Sequence, residues 1–210
     1  MGSKLAILAI SAMSVMLAVR SDAVTITFLE NGTGSLGTTS VFTDGGFSIT
    51  ASGFLTAGGT TGLYAKNEGN IGGSNEMGLG TTSDPTGEHE ITNSNFIQLR
   101  LPTTPPSNFQ LVLLTSVQSG ESAKIYFTHT AGTLAGATLL GTVTNADGSI
   151  TIPGTDQTGY IDITAGLKNV LLNGIVIQAV PDGGSTVALF GFALAGIAFI
   201  RRRVAAKSNP

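Results

Sequence analysis

Short segments in which apolar and polar residues alternate recur through the middle of this 210-residue chain. In YIDIT at residues 160–164, Ile161 and Ile163 face one side while the polar residues face the other. FIQLRL at 96–101 and AKIYF at 123–127 follow the same period of two. This period is typical of strands with one buried face, because successive side chains of a strand point to opposite faces. The segments between them carry no clear helical period.

Turn-forming residues separate the alternating segments. DGG at Asp44, ADG at Ala146 and NG at Asn173 predict tight turns. The glycine-rich stretch 66–90 is predicted to be one long loop, which in a compact domain is usually functional or mobile. We therefore predict an all-β fold, an antiparallel jelly-roll-like β-sandwich. Its strands are predicted at residues 25–29, 46–54, 96–101, 108–117, 123–127, 138–143, 149–152, 160–164 and 170–179.

The N-terminus has the three parts of a secretory signal. Lys4 supplies a positive charge, residues 5–19 supply an apolar run, and Ser21 and Ala23 place small residues before a cleavage site. The alternating sequence VTITF begins directly after Ala23. We predict a cleaved signal peptide at residues 1–23, followed by an exported ectodomain at 24–179.

The C-terminus combines an apolar block with a basic cluster. The apolar block runs from Val187 to Ile200, and Arg201, Arg202 and Arg203 follow it directly. Fourteen residues are fewer than the roughly 20 of an ordinary membrane span. A short helix can still cross where the bilayer thins and the flanking arginines extend to the headgroups. We predict a short transmembrane helix with a cytoplasmic basic tail and an ectodomain outside the inner membrane, which later reaches the cell surface or extracellular matrix.

The tail as a whole, residues 180–210, resembles a known class of sorting signal. VPDGGS begins at Val180, directly before the apolar block, and the basic cluster closes the tail. This order is similar to the PEP-CTERM class, in particular the VPDSG-CTERM variant. Gly183 stands where that variant usually has Ser, whereas the remaining motif positions match: Val180, Pro181, Asp182, Gly184 and Ser185.

The resemblance implies a partner and a setting. Proteins of this class are substrates of an exosortase, a membrane cysteine transpeptidase, and are anchored in the inner membrane before processing. They are linked to bacteria that make exopolysaccharide and biofilm matrix. Pro181 and Asp182 would then be substrate residues. The chemistry of the segment agrees, because Pro181 biases Val180 toward an extended conformation and Gly183 and Gly184 keep it flexible.

Charge and composition exclude several functions. Residues 24–179 contain four basic and eleven acidic side chains, a formal charge of −7. Such a surface repels phosphate backbones, so a nucleic-acid partner is not expected. The chain has no cysteine, which excludes disulfides, thiol chemistry and cysteine-ligated zinc. No nucleophile elbow or metalloprotease motif is present, so we expect neither an enzyme nor a required cofactor.

Two groups of residues are candidate ligand sites. Carboxylates and glycine-rich backbone favour calcium, although the spacing matches no known calcium loop, and a solvated acidic loop is the alternative. Exposed tyrosines on the polar faces of strands favour sugar stacking. The acidic candidates are Glu68, Glu76, Asp84, Glu88 and Glu90, and the glycan-binding candidates are Tyr126 and Tyr160.

Two functions remain open at this stage. The first is an exported surface or matrix protein, processed by an exosortase and structural or adhesive in an exopolysaccharide or biofilm setting. The second is a carbohydrate-binding module, with or without a structural calcium. Exosortase, inner membrane and exopolysaccharide are thus the expected partners.

Overall fold

The computed structural model describes residues 23–28, 32–71, 74–100, 107–153, 159–179 and 190–197. The N-terminal residues 1–22, the motif from Val180 to Gly184 and Arg201–Arg203 lie outside them. One compact unit spans Ala23–Ala179, and its described part contains fourteen strands and no helix. The strands are β1 (Ala23–Thr27), β2 (Gly34–Gly37), β3 (Thr39–Asp44), β4 (Phe47–Leu55), β5 (Thr60–Thr61), β6 (Leu63–Ile71), β7 (Ser74–Thr81), β8 (Asn95–Arg100), β9 (Ser107–Thr115), β10 (Ser122–Thr128), β11 (Thr138–Thr144), β12 (Gly148–Thr151), β13 (Tyr160–Leu167) and β14 (Leu171–Ala179).

The strands form two antiparallel sheets of seven strands each. The first sheet has the order β12-β9-β14-β7-β6-β2, and β1 also pairs with β14. The second has the order β11-β10-β13-β8-β4-β3, and β5 also pairs with β4. From β7 to β10, successive strands alternate between the two sheets. This alternation is a feature shared with jelly-roll connectivity.

One hydrophobic core receives side chains from both sheets. The predicted alternation places them there: in β13 Ile161 and Ile163 point inward, and in β8 Ile97 and Leu99 do so. The all-β, antiparallel prediction is therefore confirmed, with two sheets that share a core. The first sheet contributes Ile26, Leu63, Leu79, Val112, Leu114, Ile175 and Ile177, and the second contributes Ile49, Ala51, Ile97, Leu99, Ala123, Ile125, Ile161, Ile163 and Ala165.

Two details of the prediction were wrong. The stretch 66–90 is not one long loop, because it contains most of the β6–β7 hairpin before the chain turns back at residues 82–90. Asn173 and Gly174 do not form a hairpin turn either. They lie inside β14, where the register with β9 shifts by one residue between Leu172 and Gly174. Such a shift is a bulge, which glycine accommodates because it has no side chain.

The outer face of the second sheet is covered, which the alternation did not predict. Residues 129–137 lie across it: the backbone N–H of Gly132 donates to Gln98 Oε1 at 3.1 Å, and Gln98 Nε2 donates to the carbonyl of Thr130 at 3.4 Å. Gly132 also packs against the ring of Phe54. Asp162, predicted to face solvent, is fully buried on this face.

Residues 190–197 form a helix inside the predicted apolar block, in a separate unit of the chain. Its exposed side chains include Phe190, Phe192, Leu194 and Ile197. Among the described residues, no helix is long and apolar enough to span a bilayer. The other residues of the predicted span, 187–189 and 198–200, lie outside the described part.

Candidate functional site

A buried ammonium group and two buried carboxylates form the most unusual cluster in the ectodomain. Lys66 extends from β6, Glu76 from β7, and Glu90 from the segment that follows β7. Lys66 Nζ donates to Glu76 Oε2 and to Glu90 Oε1, each at 2.9 Å. The three residues are only 5%, 6% and 3% exposed, respectively. A third carboxylate, that of the exposed Glu68, lies 3.7 Å from the same Nζ.

Two polar side chains after β9 complete this network. Ser116 Oγ lies 2.8 Å from Glu76 Oε1 and 3.2 Å from Glu90 Oε1, and Gln118 Nε2 donates to Glu76 Oε1 at 3.1 Å. Ser116 has a φ of +54°, a left-handed conformation that is uncommon for a non-glycine residue. Its hydroxyl is thus held between the two carboxyl groups.

The two carboxyl groups have pKa values shifted in opposite directions. Burial raises the pKa of Glu90 to about 8, and its hydrogen bond to Glu76 acts in the same direction. Burial also acts to raise the pKa of Glu76, but hydrogen bonds from its neighbours and the nearby Lys66 ammonium outweigh it and lower that pKa. The same two carboxylates raise the pKa of Lys66 against the effect of its burial. Near neutral pH the network therefore favours an ammonium, one carboxylate and one protonated carboxyl.

Glycines in β7 allow the chain to cover this network. A side chain at Gly80 would collide with the carbonyl oxygen of His89, and one at Gly78 would lie 2.7 Å from the carbonyl oxygen of Leu172. With no Cβ at Gly80, the segment 82–90 lies directly on the outer face of the β6–β7 hairpin, and with none at Gly78, β14 approaches β7 closely. Thr81 Oγ1 fixes the segment by donating to the carbonyl of Glu90 at 3.0 Å.

The five predicted acidic residues do not act as one group. Glu68, Glu76 and Glu90 converge on Lys66, whereas Glu88 is exposed. Asp84 accepts hydrogen bonds within its own turn, from the backbone N–H and hydroxyl of Thr86 at 2.9 and 2.7 Å. Across the described ranges, no group of three or more His, Cys, Asp or Glu side chains is arranged to hold a metal ion. The Lys66 ammonium lies between the carboxyl groups of Glu68, Glu76 and Glu90, where a metal ion would otherwise bind.

Calcium is therefore expected to leave the thermal stability of the protein unchanged. A specific site would stabilise the fold by about 2.7 kcal/mol at a hundredfold excess of calcium over Kd. The measurement is the melting temperature in calcium, in magnesium and in chelator. A calcium-dependent rise in the melting temperature that Glu90→Gln abolishes would contradict this expectation and would support a metal site at these carboxylates.

The predicted tyrosines share the outer face of the second sheet. Tyr126 lies directly across from Asp162 in the β10–β13 pair, and Tyr160 lies two residues before Asp162 on the same strand. Both rings are half-buried, and the Arg100 guanidinium lies 5.9 Å from the centre of the Tyr160 ring. Asp162 Oδ1 accepts from Gln98 Nε2 at 2.7 Å, whereas its buried Oδ2 has no hydrogen-bond partner. Burial raises the pKa of Asp162 to about 7.

Sequence reasoning missed three of the residues that form the buried network around Glu76 and Glu90. Lys66 is one of four basic residues in the whole ectodomain, and its position in the alternating LYAKNE pattern was a usable signal. Ser116 and Gln118 had no such signal, because they reach the network only through the pairing of β9 with β14 and of β14 with β7.

The tail is the part of the chain that matches a known family. A family model described as the VPDSG-CTERM motif matches residues 179–204. The chain carries a VPDSG-CTERM motif. The resemblance drawn from VPDGGS, the apolar block and the basic cluster is thus confirmed, despite Gly183 in place of serine. No curated protein matches the chain.

The VPDSG-CTERM motif implies how the protein is handled. It implies an exported protein with a membrane-anchored precursor that is processed by an exosortase. The match covers 26 of the 210 residues and includes none of the ectodomain strands before β14. It therefore concerns the sorting of the protein and not the role of the two-sheet unit.

Proposed function

We propose that this is an exported bacterial surface or matrix protein that an exosortase sorts through the VPDSG-CTERM motif. The observation that carries the proposal is the match at residues 179–204. Its ectodomain then has a structural or adhesive role in an exopolysaccharide or biofilm setting and acts on no substrate. The two-sheet fold suits this role as a scaffold, because both sheets share one hydrophobic core.

The helix at residues 190–197 supports a membrane-anchored precursor. Phe190, Phe192, Leu194 and Ile197 are all more than half exposed. A run of large apolar side chains is costly in water and is stable in lipid, so this helix is suited to a bilayer. We propose that the apolar block Val187–Ile200 anchors the precursor in the membrane, with Arg201–Arg203 on the cytoplasmic side.

Replacement of Pro181 and Asp182 together by Ala is expected to block processing. By sequence, proline at 181 favours an extended backbone at the preceding residue and Asp182 supplies a negative charge, and both features are suited to binding in the cleft of a transpeptidase. In a host with an exosortase, wild-type protein should lose the residues after the cleavage point, whereas the double variant should remain at full length in the membrane fraction. Mass spectrometry of the C-terminal peptide measures both.

The matched control is Glu88→Ala, which changes an exposed ectodomain side chain and should leave processing unchanged. A host that lacks the exosortase should accumulate the unprocessed wild-type form. If the double variant and the wild type mature to the same C-terminus, the motif is not what the enzyme reads and the proposed sorting fails.

Carbohydrate binding is the second candidate function of the ectodomain. The observation that favours it is the placement of the half-buried Tyr126 and Tyr160 on one sheet face, with the exposed Arg100 guanidinium 5.9 Å from the centre of the Tyr160 ring. Aromatic rings next to hydrogen-bonding groups are a common way to bind sugars. Retention of the host's exopolysaccharide by wild-type protein, lost in Tyr126→Ala, would favour this candidate. Equal retention by both proteins would favour a role that depends on placement alone.

A further inference from the structure

The Lys66 network places a primary amine beside two carboxyl groups in a site closed to water. Lys66 Nζ lies 2.9 Å from Glu90 Oε1. This oxygen is bonded directly to Cδ, the carboxyl carbon of Glu90. Lys66 Nζ lies at the same distance from Glu76 Oε2. We propose that Lys66 and Glu90 become joined by an intramolecular amide bond between Nζ and Cδ, with Glu76 as the proton acceptor.

The surroundings give the two carboxyl groups different roles. Glu76 accepts hydrogen bonds from Lys66, Ser116 and Gln118, which stabilise its ionised form and suit it to take a proton. Glu90 is the more buried of the two and retains its proton near neutral pH. A neutral carboxyl is the more electrophilic form. The Ser116 hydroxyl lies 3.2 Å from Glu90 Oε1 and can polarise that carbonyl when its single proton turns from Glu76 to Glu90.

The reaction balances without any added reagent. Glu76 takes one proton from the Lys66 ammonium, and the freed amine attacks the carboxyl carbon of Glu90. The new bond joins Nζ to Cδ, and a second proton passes from the nitrogen to the departing hydroxyl of Glu90. The products are one amide, one water molecule and a protonated Glu76, which later loses its proton to solvent. The net charge of the three groups is zero before the reaction and directly after amide formation, and it becomes −1 when Glu76 releases its proton.

The reaction needs to occur only once in each molecule. The first proton transfer is unfavourable, because both carboxylates stabilise the ammonium form of Lys66. The fixed contact between the Lys66 amine and the Glu90 carboxyl compensates for this unfavourable proton transfer. Two groups held in contact react as if each were present at a very high concentration. After the water molecule leaves, hydrolysis is slow because the site is covered by the segment 82–90.

Such a bond would fasten the covering segment to the sheet. It would join β6 to residue 90 and close the β6–β7 hairpin covalently. The sequence contains no cysteine, so this exported domain has no disulfide to restrict its unfolded state. An amide cross-link would restrict the unfolded chain in the same way, without dependence on redox conditions.

Tryptic digestion of the purified full-length protein tests the proposal. Trypsin cleaves after a free Lys66 and releases peptide 67–100, whereas an amide at Nζ blocks that cleavage. We expect peptide 67–100 to be depleted and the uncleaved peptide through Arg100 to be lighter by one water. Fragmentation should place the link between Lys66 and Glu90, while cleavage after Lys124 proceeds normally as the internal control. Complete release of unmodified peptide 67–100, from fresh and from stored protein, would overturn the proposal.

Two variants separate the reaction from the fold. Lys66→Arg keeps the positive charge but lacks a reactive primary amine, so it should fold and remain unlinked. Glu76→Gln keeps the shape of the side chain but removes the proton acceptor, so the linked fraction should fall at least tenfold. Circular dichroism reports whether each variant is folded.

A link to Glu76 in place of Glu90, or full linking in folded Glu76→Gln, would overturn the roles assigned to the two glutamates. Neither result depends on exosortase processing, so sorting and cross-linking can fail separately.

Discussion

Lys66→Met is expected to destabilise the folded protein by on the order of 3–5 kcal/mol, because it leaves a buried charge group without its partner. Glu76 and Glu90 are 6% and 3% exposed and would face each other with no cation between them. Methionine fills a similar volume but donates no hydrogen bond. Chemical denaturation at neutral pH, followed by circular dichroism, measures the change in the free energy of unfolding. The expectation holds whether Lys66 is ionic or amide-linked in the wild type, since methionine in either case leaves Glu76 and Glu90 as buried carboxyl groups without the Lys66 nitrogen as a hydrogen-bond donor.

Two further variants identify the cause of that loss. Lys66→Arg retains the positive charge and should lose much less stability than Lys66→Met. Adding Glu76→Gln and Glu90→Gln to the Lys66→Met background should recover part of the loss, because amides are less costly to bury than unpaired carboxylates. A Lys66→Met protein as stable as the wild type would show that the network contributes nothing to folding.

The alternation in the sequence predicted the strands that have strong apolar faces. β8 and β13 carry isoleucine and leucine at every second position, and both lie where the pattern placed them. β2, β3, β5, β6 and β7 lie outside the predicted strands. β2 and β7 had no strand signal because GSLG and SNEMGLGT contain few β-branched or aromatic residues. Their pairing depends on neighbouring strands and on the close approach that Gly78 and Gly80 permit, and no local pattern encodes these.

The candidate site was predicted only in part, because its residues are brought together by strand pairing that no local sequence pattern encodes. The glutamates of the stretch 66–90 were recognised as a cluster, but their charge suggested a metal ion. Lys66 is adjacent to Glu76 because β6 pairs with β7, and Glu90 joins them because the chain folds back over the hairpin. The burial of Asp162 was missed similarly. A period of two assigns it to the polar face, and only the tertiary fold shows that residues 129–137 cover that face.

Asp162 is expected to make the stability of the fold depend on pH. Burial raises its pKa to about 7 from 3.8 in the unfolded chain. Between these two values the folded state binds the proton more tightly than the unfolded state does. The contribution of Asp162 to stability is therefore greatest below about pH 4, declines as the pH rises toward 7, and levels off above it. The decline has a structural cause, because the ionised form would leave Oδ2 buried with no hydrogen-bond donor.

Asp162→Asn is expected to remove that decline. The amide has nearly the same shape, still accepts from Gln98 through Oδ1, and carries no charge at any pH. Near pH 4 the variant and the wild type should differ little in the free energy of unfolding. At pH 8 the variant should be more stable by up to about 4 kcal/mol, the equivalent of a pKa shift of roughly three units. Denaturant titrations of both proteins from pH 4 to pH 8 measure this difference directly.

The raised pKa of Glu90 adds a similar dependence of stability on pH to both proteins, so its effect cancels from the comparison. A difference that stays constant across this range would mean that Asp162 is ionised in the folded protein, and that a donor reaches Oδ2 through the covering segment 129–137.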